Sequence, residues 1–184
     1  MTSKTSPMHV CAMAVVALLL VSGGRLERMP AEAAPALVEP ASKVDFRWID
    51  EKIVGLNPHL QAGQVSRIRE AILASSVRHG LDPSLVLAIM TVESTGRPHA
   101  RSPKGALGLM QVMPYMIGPL DLAGNPSTIE ANIEASCVIL SSDIRRLGED
   151  DGISTYFWGG NIRGTGYLDK VRAAQDSLAL NVRS

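Results

Sequence analysis

The stretch DPSLVLAIMTVES occupies residues 82–94 and predicts a helix whose apolar face ends on a carboxylate. Its first two residues, an aspartate and a proline, are typical of a helix start, because aspartate caps the first amides and proline suits the first helical position. Val86, Ile89 and Met90 precede Glu93 by seven, four and three residues, so the four side chains share one helical face. We therefore expect Glu93 to lie against the core or in a cleft.

Such a position suits an acid catalyst. Burial disfavours the charged form of a carboxyl group and raises its pKa, and a general acid must hold its proton near neutral pH. The alternative is a glutamate at a helix end that turns toward solvent, since glutamate is rarely fully buried. The pattern of this helix does not decide between the two interpretations.

The next segment, GALGLMQVMP at residues 105–114, favours a binding cleft. Its glycines let the backbone approach a ligand, Gln111 offers a donor and an acceptor that suit sugar hydroxyls, and Met110 offers adaptable apolar surface. TYFWGG at residues 155–160 adds three aromatic rings, which are useful for holding pyranose rings. The alternative for both segments is ordinary packing, with Met110 and the aromatic rings in the core.

Apolar residues recur at spacings of three and four along much of the remaining chain, which predicts an all-α, lysozyme-like helical domain. No run alternates over the length of a core strand, although a minor β-ribbon is compatible with the loop after residue 95. The segment Ser127 to Glu130 matches a capping box. The predicted helices cover residues 45–54, 64–79, 82–94, 107–116, 127–147, 152–158 and 167–180.

The N-terminus predicts export. The twelve apolar residues 10–21 fit the roughly 7–15 residues of a signal-peptide core and fall short of the roughly 20 of a membrane span. We assign residues 1–24 to a signal peptide, with cleavage after Ala33 as an alternative, residues 25–43 to a flexible linker, and residues 44–184 to one catalytic domain. Signal cleavage would leave no stable membrane span and a periplasmic or secreted protein, whereas an uncleaved signal would act as an anchor.

Charge and cysteine content narrow the class of protein. Eighteen basic residues balance 18 acidic residues, which gives no electrostatic case for nucleic acid as a partner. Cys137 would be the sole cysteine after signal cleavage, so we expect no internal disulfide and a small buried side chain. The histidines at positions 59, 79 and 99 lie far apart and lack the spacing of metal ligands, so we expect no metal.

At these motifs the chain resembles the catalytic domain of the soluble lytic transglycosylase family, which is related in fold to goose-type lysozyme. The family's Glu-Ser pair matches Glu93-Ser94, and its Gly-Leu-Met-Gln segment matches residues 108–111. Its Asn-Ile segment is similar to Asn132-Ile133, and its Ala-Tyr-Asn segment corresponds to residues 155–157. This chain departs from the last motif, because Phe157 stands where the family has asparagine, and the role of that asparagine does not carry over.

The resemblance implies a peptidoglycan lytic transglycosylase whose substrate is the glycan strand, without a cofactor. Glu93 would protonate the oxygen between N-acetylmuramic acid and N-acetylglucosamine, and the muramic acid 6-hydroxyl would then close a 1,6-anhydro ring. Ser94, Met110, Gln111 and Tyr156 would contact the sugar. Such a short chain is similar to family members that open the wall locally for secretion, pilus or flagellar systems.

Three alternatives remain open at the level of sequence. A two-carboxylate mechanism needs a second acid, and Asp82, Asp121, Glu130 and Glu134 are possible on paper. A hydrolytic muramidase on the same fold would leave reducing ends instead of anhydro ends. A peptidoglycan-binding assembly protein that has lost turnover is the third, and Phe157 is the feature that favours it.

Overall fold

The computed structural model describes residues 46–118 and 124–179, and these residues form helices joined by loops. The all-α prediction is confirmed for them, whereas the signal peptide and linker predicted for residues 1–43 lie outside the described residues. The helices are α1 (Arg47–Leu56), α2 (Ala62–His79), α3 (Pro83–Ser94), α4 (Ile129–Leu147), α5 (Glu149–Trp158) and α6 (Gly166–Ala179), with a 3₁₀ helix at Pro114–Met116. None of them is long and apolar enough to span a bilayer.

The helix α3 lies at the centre of the core. It starts as predicted, since the Asp82 carboxylate accepts a hydrogen bond from the Ser84 amide at 2.7 Å, and it ends at Thr95, whose φ is +55°. Every residue from 85 to 90 is buried, and both α2 and α6 pack against the helix. The prediction of a single apolar face was therefore too narrow, and Glu93 lies at the end of a helix surrounded by core.

The helices α2, α4 and α5 form the other part of the packing. α4 packs against α2 on one side and α5 on the other. The approach of α5 is close at Gly152, where an added Cβ would lie 2.7 Å from the Ile144 backbone. Cys137 is fully buried in α4, as predicted, and burial raises the pKa of its thiol to about 12.

The predicted helix over residues 107–116 is wrong. This segment makes two isolated antiparallel bridges, Arg101 with Leu107 and Leu107 with Val112, before the 3₁₀ helix. Gly108 has a φ of +77° and Gln111 a φ of +51°, and a right-handed helix accommodates neither value. The predicted minor ribbon thus survives as single bridges, without a strand among the described residues.

The start of α4 also differs from the prediction. The Thr128 hydroxyl donates to the Asn125 carbonyl oxygen at 2.9 Å and does not cap the helix, so the capping box is not formed. Glu130 instead accepts two hydrogen bonds from Arg67 of α2, at 2.7 and 2.8 Å. A contact with a neighbouring helix has replaced the local cap that the sequence suggested.

Candidate active site

The Glu93 carboxyl group lies partly buried at the C-terminal end of α3. Burial raises its pKa, and a hydrogen bond from the Tyr167 hydroxyl, 2.6 Å from Oε1, opposes part of this rise. The net shift is upward, so the raised pKa expected from the sequence is confirmed. A carboxyl group of this kind keeps its proton to a higher pH than an ordinary glutamate and can deliver it to a substrate oxygen.

Tyr167 is the main site residue that the sequence analysis did not identify. It lies in the first turn of α6, 5% exposed, and is separated from Glu93 by 74 residues. Its ring stacks on that of Phe157 with centroids 4.8 Å apart and planes 13° apart. Burial and the charge of Glu93 raise the pKa of the Tyr167 hydroxyl, which therefore remains a hydrogen-bond donor.

Tyr156 is hydrogen-bonded to the backbone of the turn that contains Met110. Its hydroxyl donates to the Met110 carbonyl oxygen at 2.8 Å and lies 2.9 Å from the Ser136 hydroxyl. Burial raises its pKa, with a smaller contribution from the charge of Glu93. Tyr156, which the resemblance places in contact with the sugar, is thus bonded to the turn that precedes Gln111 and does not line the cavity beside Glu93.

Asn132 of α4 fixes that turn from the other side. Its amide nitrogen donates to the carbonyl oxygens of Leu107 and Pro126, each at 2.8 Å, and its amide oxygen accepts from the Met110 amide at 2.8 Å. A Cβ on Gly108 would lie 2.6 Å from the Asn132 side chain, so only glycine fits. The segment around residue 108 is therefore held by a buried side chain of a neighbouring helix.

The structure brings two of the predicted site residues together. Glu93 and Gln111 line one cavity of about 290 Å³, where the Gln111 side-chain nitrogen donates to the Gly108 carbonyl oxygen at 2.9 Å. Ser94 and Met110 do not line it. Ser94 is buried and its hydroxyl donates to the Met90 carbonyl oxygen at 3.3 Å, while the Met110 side chain is fully buried in the core. The side chains of these two residues are therefore buried and do not face the cavity.

No second carboxylate lines this cavity among the described residues. Asp82 caps α3, Glu130 pairs with Arg67, and Glu134 is bonded to Ser75, Arg78 and His79. Asp121, the fourth candidate, lies outside the described residues. Each described candidate thus has a structural partner elsewhere in the fold.

A larger cavity of about 510 Å³ lies between α2 and α4, away from Glu93. Arg67, Arg78, Glu130 and Glu134 line it, and their charges are already paired across the two helices. Size alone would select this cavity, but Glu130 and Glu134 are paired with arginines and their pKa values are lowered. The smaller cavity is the candidate active site.

The described part of the chain contains no group of three side chains that could hold a metal ion.

Comparison with known proteins finds similarity to one family over part of the chain. Residues 70–159 match the family model of the transglycosylase SLT domain. A transglycosylase of Enterobacteria phage PRD1 is 34% identical over 91 residues, which cover 50% of this chain and 34% of the phage protein. A membrane-bound lytic murein transglycosylase C of Photorhabdus laumondii is 40% identical over 80 residues, which cover 38% of this chain and 22% of that protein.

Among solved structures, an inactive mutant of lytic transglycosylase Slt from Pseudomonas aeruginosa aligns with a TM-score of 0.45 and 21% identity, covering 60% of this chain and 22% of that chain. The matches to the curated relatives cover about a third or less of those proteins. The segment matched by the family model contains Glu93, the turn at residue 108 and Tyr156.

Proposed function

We propose, from the match of residues 70–159 to the family model of the transglycosylase SLT domain, that this protein is a peptidoglycan lytic transglycosylase with Glu93 as its acid and base. One observation carries the proposal: a partly buried carboxyl group with a raised pKa, held by Tyr167, lines a cavity without a second carboxylate among the described residues. The name of the Photorhabdus relative, a lytic murein transglycosylase, supports the glycan strand of peptidoglycan as the substrate class.

The reaction needs one carboxyl group in two protonation states. Glu93 gives its proton to the glycosidic oxygen between N-acetylmuramic acid and N-acetylglucosamine, and that bond breaks. The Glu93 carboxylate then takes the proton of the muramic acid 6-hydroxyl, and the oxygen of that hydroxyl bonds to the anomeric carbon. The products are a free N-acetylglucosamine 4-hydroxyl and a 1,6-anhydromuramic acid end, and Glu93 regains its proton.

Tyr167 supports both states of the acid. Its hydroxyl fixes the orientation of the carboxyl group before proton transfer and donates to the carboxylate afterwards. Gln111 lies on the same cavity wall and is suited to a sugar hydroxyl or acetamido group. The support for ring closure over hydrolysis is the lack of a second carboxylate on the described wall, since a two-carboxylate glycosidase places its pair about 5–9.5 Å apart.

The proposed place of action is the cell envelope. The name of the Photorhabdus relative describes a membrane-bound enzyme acting on murein, which supports an envelope location for this chain. The finer proposal is export to the periplasm through residues 1–24 and local wall opening for a secretion, pilus or flagellar machine. Sequencing the N-terminus of the mature protein tests export, which predicts cleavage after residue 24 or after Ala33. Crosslinking in intact cells tests for a partner in such a machine.

Digestion of purified peptidoglycan with the full-length protein tests the activity. We expect mass spectrometry to find 1,6-anhydro ends, and Glu93→Gln to slow their release by about 10²- to 10⁴-fold, the usual contribution of a general acid. Glu70→Gln, which changes an exposed carboxyl on α2, is the matched control and should cleave like wild type. Reducing ends would assign a muramidase, and binding without cleavage would assign the non-catalytic alternative.

A further inference from the structure

Two arginines that have no acidic partner among the described residues line the cavity that contains Glu93. Arg97 and Arg101 line it together with Ser102 and Gln111, and both arginines are exposed. We call this cavity the Arg97–Arg101 pocket. Its arginines have no role in the chemistry proposed above, which uses Glu93, Tyr167 and Gln111.

These two side chains differ from most other arginines of the described helices. Arg67, Arg69, Arg78, Arg146 and Arg172 each form an ion pair with a nearby carboxylate. Neither Arg97 nor Arg101 has a carboxylate within 4.0 Å among residues 46–118 and 124–179. A concave site with two uncompensated guanidinium groups attracts an anion, and a carboxylate matches the fork of donors that a guanidinium presents.

The backbone that carries the arginines is held in place. The Arg97 Nε–H donates to the Ser94 carbonyl oxygen at 2.8 Å, which ties this side chain to the end of α3. Arg101 is bridged to Leu107, and the Gly108 amide donates to the Ala100 carbonyl oxygen at 2.9 Å. Arg97 is therefore attached to the end of α3 and Arg101 to the turn that presents Gln111, so a ligand would meet a largely preformed site.

Glu93 does not compensate these charges. Its pKa is set by burial and by the hydrogen bond from Tyr167, so the arginines do not stabilise its charged form. Its Oε1 is the acceptor of the Tyr167 hydroxyl. Among residues 46–118 and 124–179, the two guanidinium groups therefore remain without a compensating carboxylate.

We propose that the Arg97–Arg101 pocket binds a carboxylate of the glycan substrate next to the bond that is cleaved. This inference rests on the proposed function, and it names the part of the substrate that this side of the site recognises. The muramic acid residue carries a lactyl group whose carboxylate is either free or joined to a stem peptide, and that peptide carries carboxylates of its own. N-acetylglucosamine carries no carboxylate, so the pocket would distinguish the two sugars and set the register of the strand.

Binding of three oligosaccharides tests the proposal, with full-length protein carrying Glu93→Gln to prevent turnover. The first probe is a neutral N-acetylglucosamine oligomer, the second a peptide-free muramic acid oligomer with free lactyl carboxylates, and the third the same oligomer with stem peptides. We expect Arg101→Gln to weaken binding of a carboxylate-bearing probe by about three- to tenfold, and the double variant with Arg97→Gln by more. Binding of the neutral oligomer should stay unchanged.

Two further variants separate recognition from folding. Arg101 makes no side-chain hydrogen bond within the described structure, so Arg101→Lys keeps the charge without the fork and should bind with intermediate affinity. Arg145→Gln, on the last turn of α4 and away from the pocket, is the matched control and should bind every probe like the parent.

The outcomes assign the source of the carboxylate or overturn the proposal. Arginine dependence confined to the peptide-free probe identifies the lactyl carboxylate, and dependence confined to the peptide-bearing probe identifies the stem peptide. Equal affinities of parent and double variant, or an equal loss for the neutral oligomer, would overturn it. Cleavage without arginine-dependent binding refutes this inference alone, whereas arginine-dependent binding without cleavage by wild type refutes the proposed function alone.

Discussion

At the scale of single residues, two opposed influences determine the Glu93 carboxyl group. Burial favours its protonated form, and the Tyr167 hydroxyl favours its charged form by donating to Oε1. Burial has the larger effect, so Glu93 begins as an acid. The Tyr167 hydroxyl stabilises the Glu93 carboxylate once the proton has left. This suits a group that must first give and then take a proton.

Removing this donor should change the pH dependence of activity. Tyr167→Phe deletes the hydrogen bond that lowers the pKa of Glu93, so this pKa should rise further. Because the acid must be protonated, the high-pH limb of kcat/KM should move to higher pH, while the maximal rate falls by about tenfold or more as the carboxyl loses its fixed orientation. A pH–rate profile on soluble glycan strands measures both effects.

Tyr115→Phe is the matched control, since Tyr115 lies on the 3₁₀ helix and is exposed. It should leave the profile unchanged. A high-pH limb that stays in place or moves to lower pH in Tyr167→Phe would contradict the assignment of Glu93 as the acid held by Tyr167.

The sequence predicted Glu93 but not Tyr167, and the reason is physical. The position of Glu93 follows from local helix spacing, which is visible over three to seven residues. Tyr167 meets it only after α6 packs on α3, across 74 residues of sequence, and no local pattern encodes that contact. Ser94 and Met110 were identified by motif, but a motif does not reveal whether a side chain faces the cavity or the core.

At the scale of elements, the turn at residues 105–112 is where helix periodicity misled. The sequence predicted a helix over residues 107–116, but Asn132 of α4 binds the Met110 amide and the carbonyl oxygens of Leu107 and Pro126, and Gly108 has a left-handed backbone. A buried amide with all its groups satisfied outweighs the local preference for a helix. The glycines of the segment were the available indication.

Substitution of Gly108 should unfold this turn. Gly108→Ala adds a left-handed strain of about 1–2 kcal/mol and forces a Cβ into the Asn132 side chain, which costs about 1–3 kcal/mol more. Gly105→Ala is the matched control, because its φ is +91° but no atom lies within 4 Å of the added Cβ. Urea denaturation measures the difference, and equal losses for both variants would contradict the role of Asn132.

The contact between α5 and α6 determines how firmly Tyr167 is held. Phe157 is 54% exposed, yet one face of its ring stacks on Tyr167. An aromatic pair contributes about 0.5–1.5 kcal/mol beyond the area it buries. Phe157 thus takes a structural role at the position where the resembled family carries asparagine.

We expect Phe157→Leu to lower kcat several-fold by loosening Tyr167, and Phe157→Tyr to retain the activity because it keeps the stacked ring. Steady-state kinetics on glycan strands measures the change, and Val77→Ala on the exposed surface of α2 is the control. Equal activity of the leucine variant and wild type would show that Tyr167 is held without the stacked ring.

At the scale of the whole molecule, the environments of two glutamates have opposite effects: the pKa of Glu93 in the site is raised, and that of Glu134 between two helices is lowered. Glu134 joins α4 to α2: burial raises its pKa, but hydrogen bonds from Ser75, His79 and Arg78 outweigh burial and leave the pKa lowered. The all-α class was predictable from periodicity, because every helix repeats its apolar residues. The pairing of charges between helices was not, since it depends on which faces meet.

These opposite shifts predict opposite effects on stability. The pKa of Glu93 in the folded protein lies above the ordinary value of 4.5. The stabilisation that its protonated form contributes to the fold is therefore fully present below pH 4.5 and is lost as the pH rises through the folded pKa. Glu93→Gln should therefore raise the free energy of unfolding at neutral pH, and this gain should shrink as the pH falls toward 4.5. The gain follows because a neutral amide avoids the cost of a buried charge.

Glu134 behaves in the reverse sense. Its folded pKa lies below 4.5, so its stabilisation is present above that pH and is lost as the pH falls through the folded pKa. Glu134→Gln should lower the free energy of unfolding by about 1 kcal/mol at neutral pH, a value kept small because Arg78 is exposed. Urea denaturation from about pH 3 to pH 8 measures both variants, with Glu70→Gln as the control. If the two variants shifted stability in the same direction at neutral pH, the opposed environments of the acid and the scaffold carboxylate would be refuted.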